Sequence, residues 1–206
     1  MSAVTERPGR ARPMPVEERR RVIARATVPL IVAHGREVTT RQIAEASGVA
    51  EGTLFRVFAD KEAIIDAAVE EFLDPEPFRD ELRRIDPSLS LELKLRLILD
   101  RFHDRFAGIF GVFASLGGRP RPPAHPEPEL IVGIFTDLLA PELERLRVPP
   151  ERVFAFVRLV AFASAVPHFS DTTGLDTAEL ADLIARGIAA DRPAPSAPAK
   201  EAAPCS

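Results

Sequence analysis

Residues 39–61 read TTRQIAEASGVAEGTLFRVFADK. Two short helices joined by a tight turn fit this run. Thr40 is placed to cap the first helix through its hydroxyl, and Ile43, Ala44 and Ala46 supply small apolar contacts. Gly48 follows where such a turn demands a residue that tolerates positive φ, with Val49 as its buried plug. In the second helix Leu54 and Phe58 stand at i and i+4, share one face and are buried together. Glu51, Gly52, Thr53, Phe55 and Arg56 are left outward. A short helix with small and hydrogen-bonding residues on its outer face suits entry into a DNA major groove.

The flanking sequence completes a compact head. A helix from about Val16 to His34 carries Ile23, Ala26, Thr27, Leu30 and Ile31 at helical spacing, with Glu17 and Glu18 at its positive end and Gly35 as its stop. Pro29 inside it removes a backbone bond and predicts a kink. A third helix runs from Lys61 to about Leu73 behind Asp60 as N-cap, carries Ile64, Ala68 and Phe72, and stops before Pro75 and Pro77. Residues 1–61 hold 11 Lys/Arg against 7 Asp/Glu, a net +4, while the whole chain is −4, so the remainder carries −8. A basic head on an acidic body fits attraction of the head alone to phosphate.

Thr39-Thr40, Ile43-Ala44, Ala46, Gly48-Val49, Gly52-Thr53-Leu54-Phe55, Phe58 and Lys61 together resemble the DNA-binding domain of TetR-family transcriptional regulators. The resemblance is dense over these 23 residues, and beyond about residue 75 it extends only to a helical layout. It implies an all-α chain: an N-terminal three-helix helix-turn-helix DNA-binding domain over 15–62, then a helical ligand-binding and dimerisation domain over 63–190. It implies double-stranded DNA as a partner, contacted through Thr39, Thr40, Arg41, Glu51, Gly52, Thr53, Phe55, Arg56 and Lys61. In the family the lysine matching Lys61 binds a phosphate, and the position of Arg41 contacts base or phosphate. Three departures stand out. Pro29 replaces a helix former, Ala50 the usual capping serine, and Phe55 a tyrosine that commonly bonds a phosphate.

Length and composition allow a real core in one large domain or two small ones. With 46% hydrophobic and 28% charged residues the composition is ordinary for a soluble protein. The single cysteine, Cys205, can form no internal disulfide, no secretory leader is visible and no apolar run spans a bilayer, so a cytoplasmic location is expected. Residues 1–14 read as a disordered basic arm and 191–206 as a disordered Ala/Pro-rich tail. Arg7, Arg10 and Arg12 in the arm suit either a phosphate or minor groove, or plain solvation.

Residues 88–116 alternate Leu with polar residues like a strand, yet Leu, Glu, Lys and Arg favour helix. Its length favours one long helix ending near Gly117-Gly118. Phe102, Phe106, Phe110 and Phe113 form a stripe on it that is either core or the lining of an apolar ligand cavity, with Phe135 and Phe162 as further lining. Residues 117–128, rich in proline, read as a stiff loop whose Arg119, Arg121 and His125 could meet an anion or simply face solvent. A helix resumes near Glu129, with a turn at Pro141. Residues 151–166 are apolar nearly all round, so they belong in a core or against another chain. Asp176 and Glu179 resemble a capping box for a last helix with Leu180, Leu183, Ile184, Gly187 and Ile188 on one face. The family implies a homodimer built from 151–166 and 177–190, and a small, apolar effector.

No catalytic constellation, cofactor motif or metal site is expected. Asp100, His103 and Asp104 have metal-ligand spacing, but a solvated helix face explains them better. The expected function is that of a repressor released from a palindromic operator by a small ligand, and not of an enzyme. The competing readings are a DNA-binding dimer without an effector and a helical carrier or enzyme.

Overall fold

The computed structural model describes residues 14–118 and 128–189, with Pro128 and Ser170 traced in backbone only. Ten α-helices are assigned among these: α1 Val16–His34, α2 Thr40–Ser47, α3 Glu51–Leu54, α4 Lys61–Leu73, α5 Glu76–Arg83, α6 Leu91–Ser115, α7 Pro128–Leu138, α8 Pro150–Ser164, α9 Pro167–Thr173 and α10 Thr177–Ile188. Short 3-10 turns follow α1 at Gly35–Glu37 and α7 at Ala140–Arg145. No strand occurs among the described residues, only an isolated bridge between Leu146 and Ala189. Contacts divide the chain into two compact units, one drawn from Met1–Phe78 and Asp104–Pro126, the other from Arg79–His103 and Glu127–Ser206. The expected arm, the tail and the residues Arg119, Arg121 and His125 lie outside the described residues.

In the first unit α1 supplies Ile23, Ala24, Thr27 and Ile31 to the interior at the period of one helix face. Thr27 satisfies its buried hydroxyl on the Ile23 carbonyl at 2.8 Å. Ile64, Ile65, Ala67 and Ala68 of α4, Val38, and Val112 of α6 close the same core. The helix continues through Pro29, which sits on the exposed side. The proline leaves the Arg25 carbonyl without its helical N–H partner, and Arg25 is itself an exposed residue. Gly35 ends α1 at φ 56, where its N–H caps the Ile31 carbonyl. A Cβ on Gly35 would stand 2.3 Å from the Ser115 carbonyl oxygen, while Ser115 Oγ donates to the Val32 carbonyl at 3.0 Å. Only glycine allows both the left-handed turn and this approach.

The second unit buries Leu95, Ile98, Leu99 and Phe102 of α6, Ile131, Ile134, Phe135 and Leu138 of α7, and Val153, Val157 and Ala161 of α8. Within it Lys94 is fully buried, and its ammonium donates to the carbonyls of Pro87 and Leu138, both at 2.9 Å, and to the Glu142 carboxylate at 2.5 Å. All three N–H bonds of the cation are thereby used. Asp176 and Glu179 form the expected capping box of α10.

Several expectations change at the level of elements. The α4 helix ends at Leu73 as read, but Pro77 does not hold the chain extended: it sits in the first turn of α5, where a missing N–H costs nothing. Pro167 likewise opens α9. On α10 the buried face is Ala181, Ile184, Ala185 and Ile188, while Leu183 and Gly187 face outward. The long helix is real and starts at Leu91, after Ser90, whose hydroxyl accepts the Leu93 N–H at 3.3 Å.

Replacing Gly35 with alanine is expected to destabilise the protein by about 2–4 kcal/mol, combining a positive φ with a backbone clash. Urea unfolding reads this directly, and a loss below about 0.5 kcal/mol would contradict the tight approach of Gly35 to Ser115.

Candidate nucleic-acid interface

The helix-turn-helix is built by capping at both ends of α2. Thr39, not Thr40, is the N-cap: its hydroxyl accepts the Gln42 N–H at 3.2 Å, and the Gln42 side chain accepts the Thr39 N–H at 2.8 Å. This is a reciprocal capping box, and it works because the residue three positions after Thr39 has an amide to reach back. Thr40 is the first residue of the helix, and its hydroxyl donates to the Glu51 carboxylate, joining the start of α2 to the start of α3. At the other end Gly48 adopts φ 68 and ψ 27, and the Val49 N–H reaches the Ala44 carbonyl at 3.0 Å. A left-handed glycine with such a six-to-one bond is a Schellman turn, as the glycine predicted. Val49 is half-buried against the core, and Ala46 is exposed instead of making apolar contacts.

The reading helix is a single turn. Ala50 caps α3 without a side-chain bond, and the Thr53 N–H is satisfied by the Ala50 carbonyl at 2.7 Å. Phe58 lies beyond the helix, yet its N–H and that of Val57 share the Leu54 carbonyl at 2.8 and 3.0 Å. The i, i+4 register of Leu54 and Phe58 survives, and both are buried in the core with Ile43. Glu51, Gly52, Phe55 and Arg56 are exposed, and Thr53 is half-buried. A Cβ built on Gly52 meets nothing within 4 Å, so the glycine leaves an open approach to the backbone.

The cations around this turn have assigned neighbours. Arg41 pairs with Glu45 one turn along α2 at 3.0 Å, fully in solvent on both sides. Such a pair is weak and readily exchanged for a phosphate or base. Lys61 donates to the Arg36 carbonyl at 2.8 Å, so it closes the 3-10 turn after α1. This explains why a cation is tolerated at the start of α4, where Asp60 caps the Ala63 N–H at 2.8 Å. Arg36 in turn pairs with Glu62 at 2.5 Å, and the Arg20 guanidinium lies 4.5 Å over the Phe58 ring. Sequence reasoning missed these last two because they join residues far apart in the chain.

Of the six phenylalanines read as a cavity lining, three belong to each unit. Phe102 and Phe135 lie in the second unit and pack with Phe154, which the sequence reading left out, at ring separations of 6.2 and 5.2 Å. Phe106, Phe110 and Phe113 belong to the first unit, and Phe162 is exposed on α8. The α8 helix presents Phe156 and Leu159 at 48% and 64% exposure, and α10 presents Leu183 at 56%. His103 Nδ1 stands 3.1 Å from Ser164 Oγ, and no group of metal-ligating side chains occurs among the described residues. No described helix alone is long and apolar enough to cross a membrane.

Residues 23–72 match the family model of bacterial regulatory proteins, tetR family. Among solved structures, a TetR transcriptional regulator from Streptomyces coelicolor is 24% identical, with 84% of this chain and 99% of that chain covered at a TM-score of 0.54. A TetR-family regulator from Vibrio parahaemolyticus is 19% identical, covering 82% and 97% at 0.50. A structure reported as the molecular basis for control of antibiotic production by bacterial hormones is 20% identical, covering 86% and 100% at 0.56. A search of curated proteins gives no match. Residues 23–72 thus carry a domain that matches the tetR family, and the chain shares the all-α fold of these neighbours, a helix-turn-helix head followed by further helices.

Gly52→Ala is expected to leave thermal stability unchanged or raised, by up to about 1 kcal/mol from helix propensity. The same substitution is expected to weaken DNA binding in an anisotropy titration, since it fills the open approach. Unchanged DNA affinity would remove Gly52 from the interface.

Proposed function

We propose that this chain is a TetR-family transcriptional regulator, a homodimeric repressor that binds a palindromic operator and leaves it when a small molecule occupies the second unit. The observation that carries the reading is the division of residues 51–58. Leu54 and Phe58 are fixed in the core, while Glu51, Gly52, Phe55 and Arg56 lie exposed on the turn. That turn is the part of the fold that can enter a groove. Arg41 is suited to a guanine edge and Glu51 to a cytosine amino group, with Thr39, Thr40, Thr53 and Lys61 placed near the same helices for backbone contacts.

One such turn makes few base contacts, so a two-fold pair on a symmetric site is needed for useful selectivity. The exposed Phe156, Leu159 and Leu183 support α8 and α10 as the pairing surface, because an isolated patch of this kind favours burial. The neighbour of this fold reported for control by bacterial hormones supports small-molecule control as the kind of regulation proposed. Helix α6 contributes residues to both units along one continuous backbone, so a ligand that shifts its first half biases its second. A second reading, a DNA-binding dimer with no effector, draws on the mutual packing of Phe102, Phe135 and Phe154 as filled core. A cytoplasmic location fits a partner of this kind.

Selection of bound duplexes from a random pool is expected to enrich an inverted repeat, and enrichment of sequences without two-fold symmetry would contradict the reading. Leu159→Asp combined with Leu183→Asp is expected to yield a monomer by sedimentation and to lower affinity for the selected duplex by at least about a hundredfold, as loss of half the contacts requires. A dimer of unchanged affinity would show that the pairing surface lies elsewhere.

A further inference from the structure

We propose that Arg158 is an anion anchor, taking the carboxylate of an otherwise apolar monoanionic molecule as the effector of the second unit. This rests on the effector-responsive reading above and names the chemical class it leaves open.

Arg158 is the only charge in α8 after Arg152. Its Nε is sealed from solvent and has no hydrogen-bond partner among the described residues. A buried donor left without an acceptor is destabilising, and more so when it belongs to a charged group. Lys94, fully buried in the same unit, has every N–H satisfied by a carbonyl or carboxylate. Among the described residues the Arg158 Nε is the buried side-chain nitrogen or oxygen without a partner, although the side chain as a whole is half-buried. Unsatisfied buried donors of this kind mark sites that acquire their partner later.

Placement indicates which partner. Arg158 follows Phe154 by one turn and precedes Phe162 by one turn, so the three share a flank of α8. Phe154 packs on Phe102 of α6 and Phe135 of α7, which puts Arg158 beside an aromatic cluster. The other flank of α8 carries Leu159, Val160, Ala163 and Ser164, which line a groove of about 200 Å³ with Leu180 of α10. The flank of Arg158 is thus the one turned from α10 and towards α6 and α7, which favours a small ligand over a carboxylate of a second copy. The Nε and the adjacent Nη offer two parallel N–H bonds that match the two oxygens of a carboxylate. A monoanion is neutralised by one guanidinium, whereas a phosphate dianion would leave a net charge against apolar rings.

The chain has no Trp or Tyr, so thermal unfolding by circular dichroism suits the test better than intrinsic fluorescence. The full chain is melted with octanoate or 1-octanol, alongside Arg158→Met and Arg158→Lys. Octanoate is expected to raise Tm saturably and 1-octanol far less. Arg158→Met is expected to be at least as stable as the parent without ligand, because it removes an unsatisfied donor. It is also expected to bind octanoate at least about tenfold more weakly, with Arg158→Lys intermediate. Four results would overturn the anchor: no stabilisation by octanoate, equal effects of acid and alcohol, an equal octanoate response in Arg158→Met, or an unliganded Arg158→Met that is destabilised. Conversion of Arg158→Met to a monomer in sedimentation would assign the arginine to the partner chain instead. Operator affinity is measured on the same samples: if it persists in every variant, only the anchor fails, whereas its absence from the parent itself would sink the function proposed above.

Discussion

Helices α2 and α3 are eight and four residues long, and neither is stable in isolation. They exist because Ile43, Leu54 and Phe58 are buried against the face that α1 and α4 present together. Everything proposed for the outer surface follows from that burial. With Leu54 and Phe58 committed inward, the geometry of a single helical turn leaves Glu51, Gly52, Phe55 and Arg56 outward without further specification. The Gly48 turn sets the angle between the two short helices, and the Thr39–Gln42 box fixes where the first begins. Both are backbone devices, so the surface residues remain free to differ without loss of the fold. Departures such as Ala50 and Phe55 alter the surface and the cap without disturbing the core.

The second unit faces an opposite constraint. Its α8 helix has too much apolar surface for one neighbouring layer to cover. Val153, Val157 and Ala161 are consumed by the interior, which leaves Phe156 and Leu159 outward. Of the two readings of this helix, the central one holds for one face, which lies inside its own unit, and the exposed face is the one assigned to the pairing proposed above. Lys94 shows that this unit can bury a cation when three acceptors converge on it, at the ends of α6 and α7. That standard makes the bare Nε of Arg158 a specific feature of the unit.

Much of the head was legible in the residues because its signals are local. Gly35 and Gly48 mark positive φ, Asp60 and Asp176 are caps, and the 3.6-residue period of α1 and α4 survives tertiary packing. The failures are also local in character. Thr39 and Thr40 are adjacent hydroxyls, and only the position of Gln42 three residues on distinguishes the cap. Pro77 was read as a break although proline in the first turn of a helix is compatible with it, so α5 was missed. Arg20 over Phe58, Lys94 with Glu142, and the partition of the phenylalanines between units depend on contacts between distant residues. No periodicity carries that information.

The central claim is sequence-selective DNA binding by the head. Its most direct test is fluorescence anisotropy of the full chain with duplex from the flank of its own gene, against a scrambled duplex of equal length, at two salt concentrations. The account predicts much tighter binding to the flanking duplex, with both affinities falling steeply as salt rises because phosphate contacts release counterions. No binding to either duplex at the lower salt would contradict it.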